Sequence, residues 1–175
     1  MILSGKKLRE FADEHIIVPP GEDSPVVGPA SIDLRIGPQG LIPMGGDGAG
    51  VSIKNPGTYR EIELPTTFAP GEMVLLSSIE EIHMPPDVAA FVAMRSSAGR
   101  LGLDHAMAGF VDPGFHGTIT FEISNIRPRD PIYLEPGDRI VQMVFFTCTE
   151  AAAYTGGYNG QSGPKGVREN AHEVG

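Results

Sequence analysis

The stretch from Arg95 to Asn125, "RSSAGRLGLDHAMAGFVDPGFHGTITFEISN", gathers most of the side chains that could grip an anion or move a proton. Arg95 and Arg100 bracket Ser96 and Ser97 at the end of an apolar run, and Gly99 permits a tight turn between them. A guanidinium presents a rigid fork of donors, and serine adds hydroxyl and backbone donors, so the corner suits phosphate or carboxylate. The same residues would also serve as a surface turn with ordinary ion pairs. Asp112, ahead of Pro113 and Gly114 in "VDPGFHG", is common turn chemistry by itself. In "GTITFEISN" the period of two puts Ile119, Phe121 and Ile123 on one face and Thr118, Thr120, Glu122 and Ser124 on the other. Glu122 among hydroxyls could act as a general base, but alternation alone favours a solvent-facing glutamate on an edge strand.

Metal chemistry is poorly supplied. The histidines at 15, 83, 105, 116 and 172 are scattered and Cys148 is the single cysteine, so the ligand pattern of a zinc nucleobase deaminase is missing and no protein zinc site is expected. His105 and His116 fall inside the stretch of interest, yet a lone histidine more often satisfies local hydrogen bonds than performs catalysis. Cys148, in an apolar strand, reads as a small buried side chain; one cysteine permits no internal disulfide, which points to a reducing cytoplasmic setting.

The elements that must position these residues are mostly strands. "SGKKLREFADEHI" predicts one short helix, capped by Ser4, with Leu8, Phe11 and Ala12 at helical spacing. From "ASIDLRIG" onward the pattern switches to alternation, and "PGEMVLLSSIEEIHMPPD", "VAAFVAMRSS", "GTITFEISN", "PIYLEPGD" and "RIVQMVFFTCTE" follow, each bounded by turn residues. "RIVQMVFF", apolar on both faces apart from Gln142, predicts a core strand. "GPQGLIPMGGDGAG" lacks the lysine and following helix of a phosphate-binding loop and is expected to be a flexible connection. With 23 glycines and 16 prolines spread through 175 residues, the chain is expected to be one mainly β domain, a meander or barrel.

A formal charge of −9 argues against broad nucleic-acid binding, since affinity for a polyanion comes largely from basic residues. No apolar run is long enough to cross a bilayer, and the lysines after Met1 adjoin no apolar region of the kind a signal peptide needs, so neither membrane nor export is expected.

Taken in order, "ASIDLRIG", "MPPDVAAFVAMRSSAGRLGL", "AGFVDPGFHGTITFEISN", "PIYLEPGDRIVQMVF" and "GYNGQSGP" resemble the landmarks of the dCTP deaminases, members of the trimeric dUTPase-like superfamily. The resemblance implies a distorted β-barrel or jelly roll of the dUTPase type over residues 1–175, with 151–175 as a C-terminal arm. By the same resemblance Glu122 matches the general base, Ser96 and the Ala108 carbonyl match groups that hold the attacking water, and Arg100 matches a cation beside the glutamate. Arg95 and Ser97 match phosphate-side residues, Asp112 and Phe115 contact the deoxyribose, Thr120 belongs to the substrate site, and Tyr154 and Gln161 close over the triphosphate.

The implied reaction is hydrolysis of dCTP to dUTP and ammonia, without zinc, with Mg²⁺ carried on the nucleotide phosphates and sites between subunits of a homotrimer. A bifunctional branch that continues to dUMP and pyrophosphate is the next reading, followed by a dUTPase and by a silent nucleotide-binding trimer. Three departures stand out: "DHAM" is one residue shorter than the usual loop, Met107 stands where threonine is typical, and Gly157 stands where a phosphate-binding lysine is common, leaving Lys165 as its candidate substitute.

Overall fold

The computed structural model describes residues 1–168 apart from 47, 49 and 107. Met107, His172 and the end of the arm therefore lie outside the described residues. The elements are α1 (Gly5–His15), β1 (Ile16–Ile17), β2 (Val26–Val27), β3 (Ile32–Pro43), β4 (Tyr59–Glu63), β5 (Thr66–Phe68), β6 (Met73–His83) and β7 (Val88–Met94). They continue as α2 (Ser96–Leu101), β8 (Leu103–His105), β9 (Phe110–Val111), β10 (His116–Asn125), β11 (Ile132–Leu134) and β12 (Arg139–Thr147).

The architecture is mainly β, a single curled sheet that forms an open half-barrel. Its strands run β8-β10-β6-β3-β12-β7-β9, with β1 on β6 and both β2 and β4 on β3; β5 and β11 pair separately. Every pairing is antiparallel. β3 makes the curl possible. Its first half pairs with β12 and β2, its second with β6 and β4, and the register shifts between Ile36 and Gly40.

The residues expected to form a flexible glycine connection are, up to Pro43, part of this strand. Gly40 there serves close packing, because a Cβ on it would come within 3.0 Å of both Ile62 and Leu76.

Alternation predicts the rest well. Ile32, Leu34 and Ile36 are fully buried, as are Val141, Met143 and Phe145 of the predicted core strand β12, which lies between β3 and β7. Leu8, Phe11 and Ala12 seat α1, with the Phe11 ring 4.6 Å from that of Phe145. Ser4 occupies the N-cap position but its side chain makes no capping hydrogen bond. "RSSAGR" differs from expectation: Ser96 begins a short helix, and the chain turns at Gly102, in the left-handed region at φ 104°, not at Gly99. Among the described residues no helix is long and apolar enough to cross a membrane.

One buried ion pair ties the curl together. Glu80 on β6 is fully buried, and the Arg35 side chain on β3 donates to its Oε1 at 2.7 Å while the Arg35 backbone N–H donates to Oε2 at 3.0 Å. Glu22 and the Asp23 carbonyl accept from the rest of the guanidinium. Removing one member of such a pair strands the other without water. Arg35→Met is expected to cost about 3–5 kcal/mol of stability in a denaturant titration, and Arg35→Met/Glu80→Leu substantially less, because the double change leaves no orphaned charge.

Candidate active site

The inner surface of the half-barrel opens into a cavity of about 390 Å³ whose wall includes Leu75, Val92, Phe110, Phe115, Glu122 and Tyr154. β10 supplies its chemistry. One edge of β10 pairs with β6 along the strand. The other edge is shared. At one end β8 pairs with Ile123–Asn125 and the Ala106 N–H donates to the Glu122 carbonyl. At the other end the C-terminal segment docks through a parallel bridge between Gly117 and Gln161. Between them Thr120 and Glu122 face the cavity. The pairing with β6 slips between Thr118 and Thr120, where the Ile119 N–H leaves the ladder and donates to Ser78 Oγ at 2.8 Å. Such a bulge re-aims the side chains that follow it. Glu122 thus lies inside the sheet, not on an edge strand facing solvent.

Leu75 stands directly across the ladder from Glu122, so the carboxyl meets an apolar neighbour. Burial pushes it above the ordinary glutamate range, opposed by a hydrogen bond from its own backbone. Its Oε2 is buried with no hydrogen-bond partner among the described residues. The nearest base is His105, whose Nε2 lies 3.5 Å from that oxygen. Burial holds the imidazole below its ordinary value against an upward pull from Asp104.

Of the residues expected at the site, Glu122, Ala108, Asp112, Phe115, Thr120, Tyr154, Gln161 and Lys165 line this one cavity. Asp112 and Phe115 come from the Asp-Pro-Gly-Phe turn, and Tyr154 is held over it by donating its N–H to the Pro113 carbonyl. Thr120 anchors the C-terminal segment: its hydroxyl accepts from the Lys165 N–H at 3.2 Å and the Gln161 amide at 3.4 Å. Gln161 is itself buried: its carbonyl accepts from the Thr118 N–H at 3.0 Å and its side-chain amide donates to the Thr118 carbonyl at 2.6 Å. Gly117 makes that approach possible, since a Cβ there would come within 2.5 Å of the Gln161 carbonyl oxygen and φ is +130°. The docked segment continues to the Tyr59 hydroxyl, which accepts from the Val167 N–H.

Arg95, Ser96, Ser97 and Arg100 are elsewhere. They begin or form α2, which packs on β12 and β8, and none of them lines the cavity. Arg95 pairs with Asp33 at 3.1 Å and donates to the Arg139 carbonyl. Arg100 makes no ion pair among the described residues, and within one chain it is not the cation beside Glu122.

The sequence reading missed Tyr59, Tyr158 and Phe110, which also line the cavity. No local signal marks Tyr59, which precedes Glu122 by 63 residues. Phe110, 62% exposed at the cavity, had a signal available: a large aromatic placed just before the Asp-Pro-Gly turn.

A family model described as dCTP deaminase-like matches residues 2–148. The chain belongs to the dCTP deaminase family. Among curated members of that family, a dUMP-forming dCTP deaminase of Methanosphaera stadtmanae is 36% identical over 94% of this chain and 91% of its own length. A crystal structure of the 2'-deoxycytidine 5'-triphosphate deaminase from Agrobacterium tumefaciens matches 82% of this chain with a TM-score of 0.62 and 26% identity; the match spans 47% of that longer chain. A Staphylococcus bacteriophage 80alpha dUTPase with dUpNHpp shares the fold at a TM-score of 0.53 and 13% identity, over 90% of this chain and 92% of that one. This dCTP deaminase family member is accordingly an enzyme with a dUTPase-like fold.

The burial of Glu122 has a thermodynamic consequence. A carboxyl with a raised folded-state pKa adds stability when protonated and loses it as pH rises through that pKa. Glu122→Gln, which cannot ionise, is therefore expected to have the same melting temperature as the unmutated protein near pH 4.5 and a progressively higher one towards pH 8. A melting-temperature difference that does not grow with pH would contradict this.

Proposed function

We propose that this protein is a single-domain enzyme that hydrolyses dCTP to dUTP and ammonia and then dUTP to dUMP and pyrophosphate. The observation that carries the first step is Glu122, half-buried in the wall of a cavity that Ala108, Asp112, Phe115 and Tyr154 also line. Glu122 takes a proton from the water attacking C4 of cytosine and passes it towards N3 and the leaving ammonia. The Ala108 carbonyl orients that water, Phe115 and Asp112 hold the deoxyribose, and Tyr154, Gln161 and Lys165 meet the phosphates.

The second step is supported by relatives of comparable identity, most of them named dUMP-forming. One is named simply dCTP deaminase, and a reaction that stops at dUTP is the second reading. Asp112 is the carboxylate suited to take the proton of a water attacking phosphate. Mg²⁺ is proposed to arrive on the triphosphate, where its charge offsets that of the phosphate oxygens; Asp112 would hold its hydration shell.

The site is proposed to be completed across a homotrimer. Two features support this: Ser96, Ser97, Arg95 and Arg100 do not line their own chain's cavity, and the outward face of β7 and β12 presents partly exposed Phe91, Val144 and Phe146 side by side. Burial of that face is proposed to bring a neighbour's Arg100 towards the cavity, where a cation favours the ionised carboxylate.

Incubation of the protein with dCTP and Mg²⁺ is expected to release ammonia, dUMP and pyrophosphate in equal amounts. Ammonia with dUTP and no pyrophosphate would support the second reading, and pyrophosphate from dUTP alone would overturn the deaminase assignment. Glu122→Gln is expected to lower ammonia release by about 10²- to 10⁴-fold with nucleotide binding retained. Mixed after denaturation and refolded together, Glu122→Gln and Arg100→Ala chains are expected to recover about a quarter of the unmutated rate, the chance that an interface draws one intact residue from each chain. No recovery would mean that both residues act in the same chain.

A further inference from the structure

Glu122 has two carboxyl oxygens in different surroundings. The part of the side chain that remains exposed, about a quarter of it, faces the cavity, whereas Oε2 is enclosed within its own chain and has no hydrogen-bond partner among the described residues. A carboxylate oxygen buried without a donor is costly, more so for a group that must ionise to act as a base. The chain's own atoms cover it. One side chain is in position. His105 is almost fully buried, and its Nε2 stands 3.5 Å from Oε2, a separation that a small rotation of either side chain closes to a hydrogen bond. The imidazole is seated by the Phe121 ring, edge to face at 6.5 Å, and by the pairing of His105 with Ile123.

We propose that His105 is the positioning residue for Glu122: its Nε2 holds the buried Oε2 and leaves Oε1 to the reacting water. This deepens the deaminase reading, on which it rests for the identity of the reacting water. The role needs no covalent step. His105 donates Nε2–H to the ionised carboxylate, and when Glu122 has accepted the proton of the water on Oε1 the imidazole keeps the carboxyl in the same plane for its delivery.

Burial favours the neutral form of both groups, so a proton lying between them is kept from solvent. The other charged groups near the imidazole are few. Asp104 is its neighbour on β8; of the further elements packed on β8, β7 carries no titratable side chain and α2 carries only Arg100.

Two measurements test the assignment. The His105 imidazole, followed by NMR titration, is expected to titrate at lower pH in Glu122→Gln than in the unmutated protein, because a neighbouring carboxylate stabilises the imidazolium. An unchanged titration overturns the proposal whether or not the protein turns over dCTP. In steady-state kinetics His105→Phe is expected to lower kcat for ammonia release ~10- to 100-fold, the range for a lost hydrogen bond to a charged group, with KM for dCTP nearly unchanged.

The acid limb of the His105→Phe kcat profile should move to higher pH, since Glu122 then ionises less readily. His105→Gln, whose amide can donate from about the place of Nε2, should restore most of the rate and the position of the limb. Equal loss in both variants, or a rise in KM with kcat intact, would mean that His105 merely packs and would overturn the proposal. If the unmutated protein released no ammonia while His105 still shifted in Glu122→Gln, the pair would stand and the reading of the reaction would fall.

Discussion

The interrupted edge of β10 is the constraint on which the site depends. A strand paired on both edges offers no opening, and one unpaired on an edge exposes its backbone to solvent. β10 avoids both conditions by dividing its second edge between β8 and the docked C-terminal segment, with Thr120 and Glu122 facing the cavity between them. The bulge at Ile119 turns those side chains inward, and Gly117 lets the segment approach as closely as it does. Pocket, base and covering segment therefore follow from how one strand is paired.

The two buried glutamates show how environment assigns roles to one side-chain type. Glu80 is fully enclosed but receives donors from Arg35 on both oxygens, so it holds β3 and β6 together as a fixed charge. Glu122 is less enclosed yet lacks such donors, and apolar neighbours raise the cost of its ionised form. A poorly satisfied carboxylate can exchange a proton at moderate cost, which suits Glu122 to the role proposed for it. The curl of the sheet that Glu80 stabilises encloses the cavity in which Glu122 operates.

Division of the candidate residues into two groups is the other organising feature. Residues of β10, the Asp-Pro-Gly-Phe turn and the C-terminal segment converge on one cavity, whereas those of α2 sit over β8 and β12. The helix is where a turn was expected, and it carries Arg100 away from Glu122 of the same chain. A cavity lined by only part of its expected residues, beside a sheet face rich in partly exposed apolar side chains, is a physical motive for association.

Much of the fold was legible in the residues themselves. Alternation in "ASIDLRIG" and "GTITFEISN" and helical spacing of Leu8, Phe11 and Ala12 determined which side chains are buried, because hydrophobic period is a local property of each segment. The order of motifs determined the family. Local pattern could not show that Gly37–Pro43 is a strand, since Gly40 is explained by Ile62 and Leu76, distant in sequence. Nor could it show that Glu122 is buried, that Arg100 is remote from it, or that His105 is its neighbour. Those depend on strand register and on which edge is covered, and only the tertiary structure sets them: a carboxylate's proton affinity is decided by the groups folded around it, not by its place in the chain.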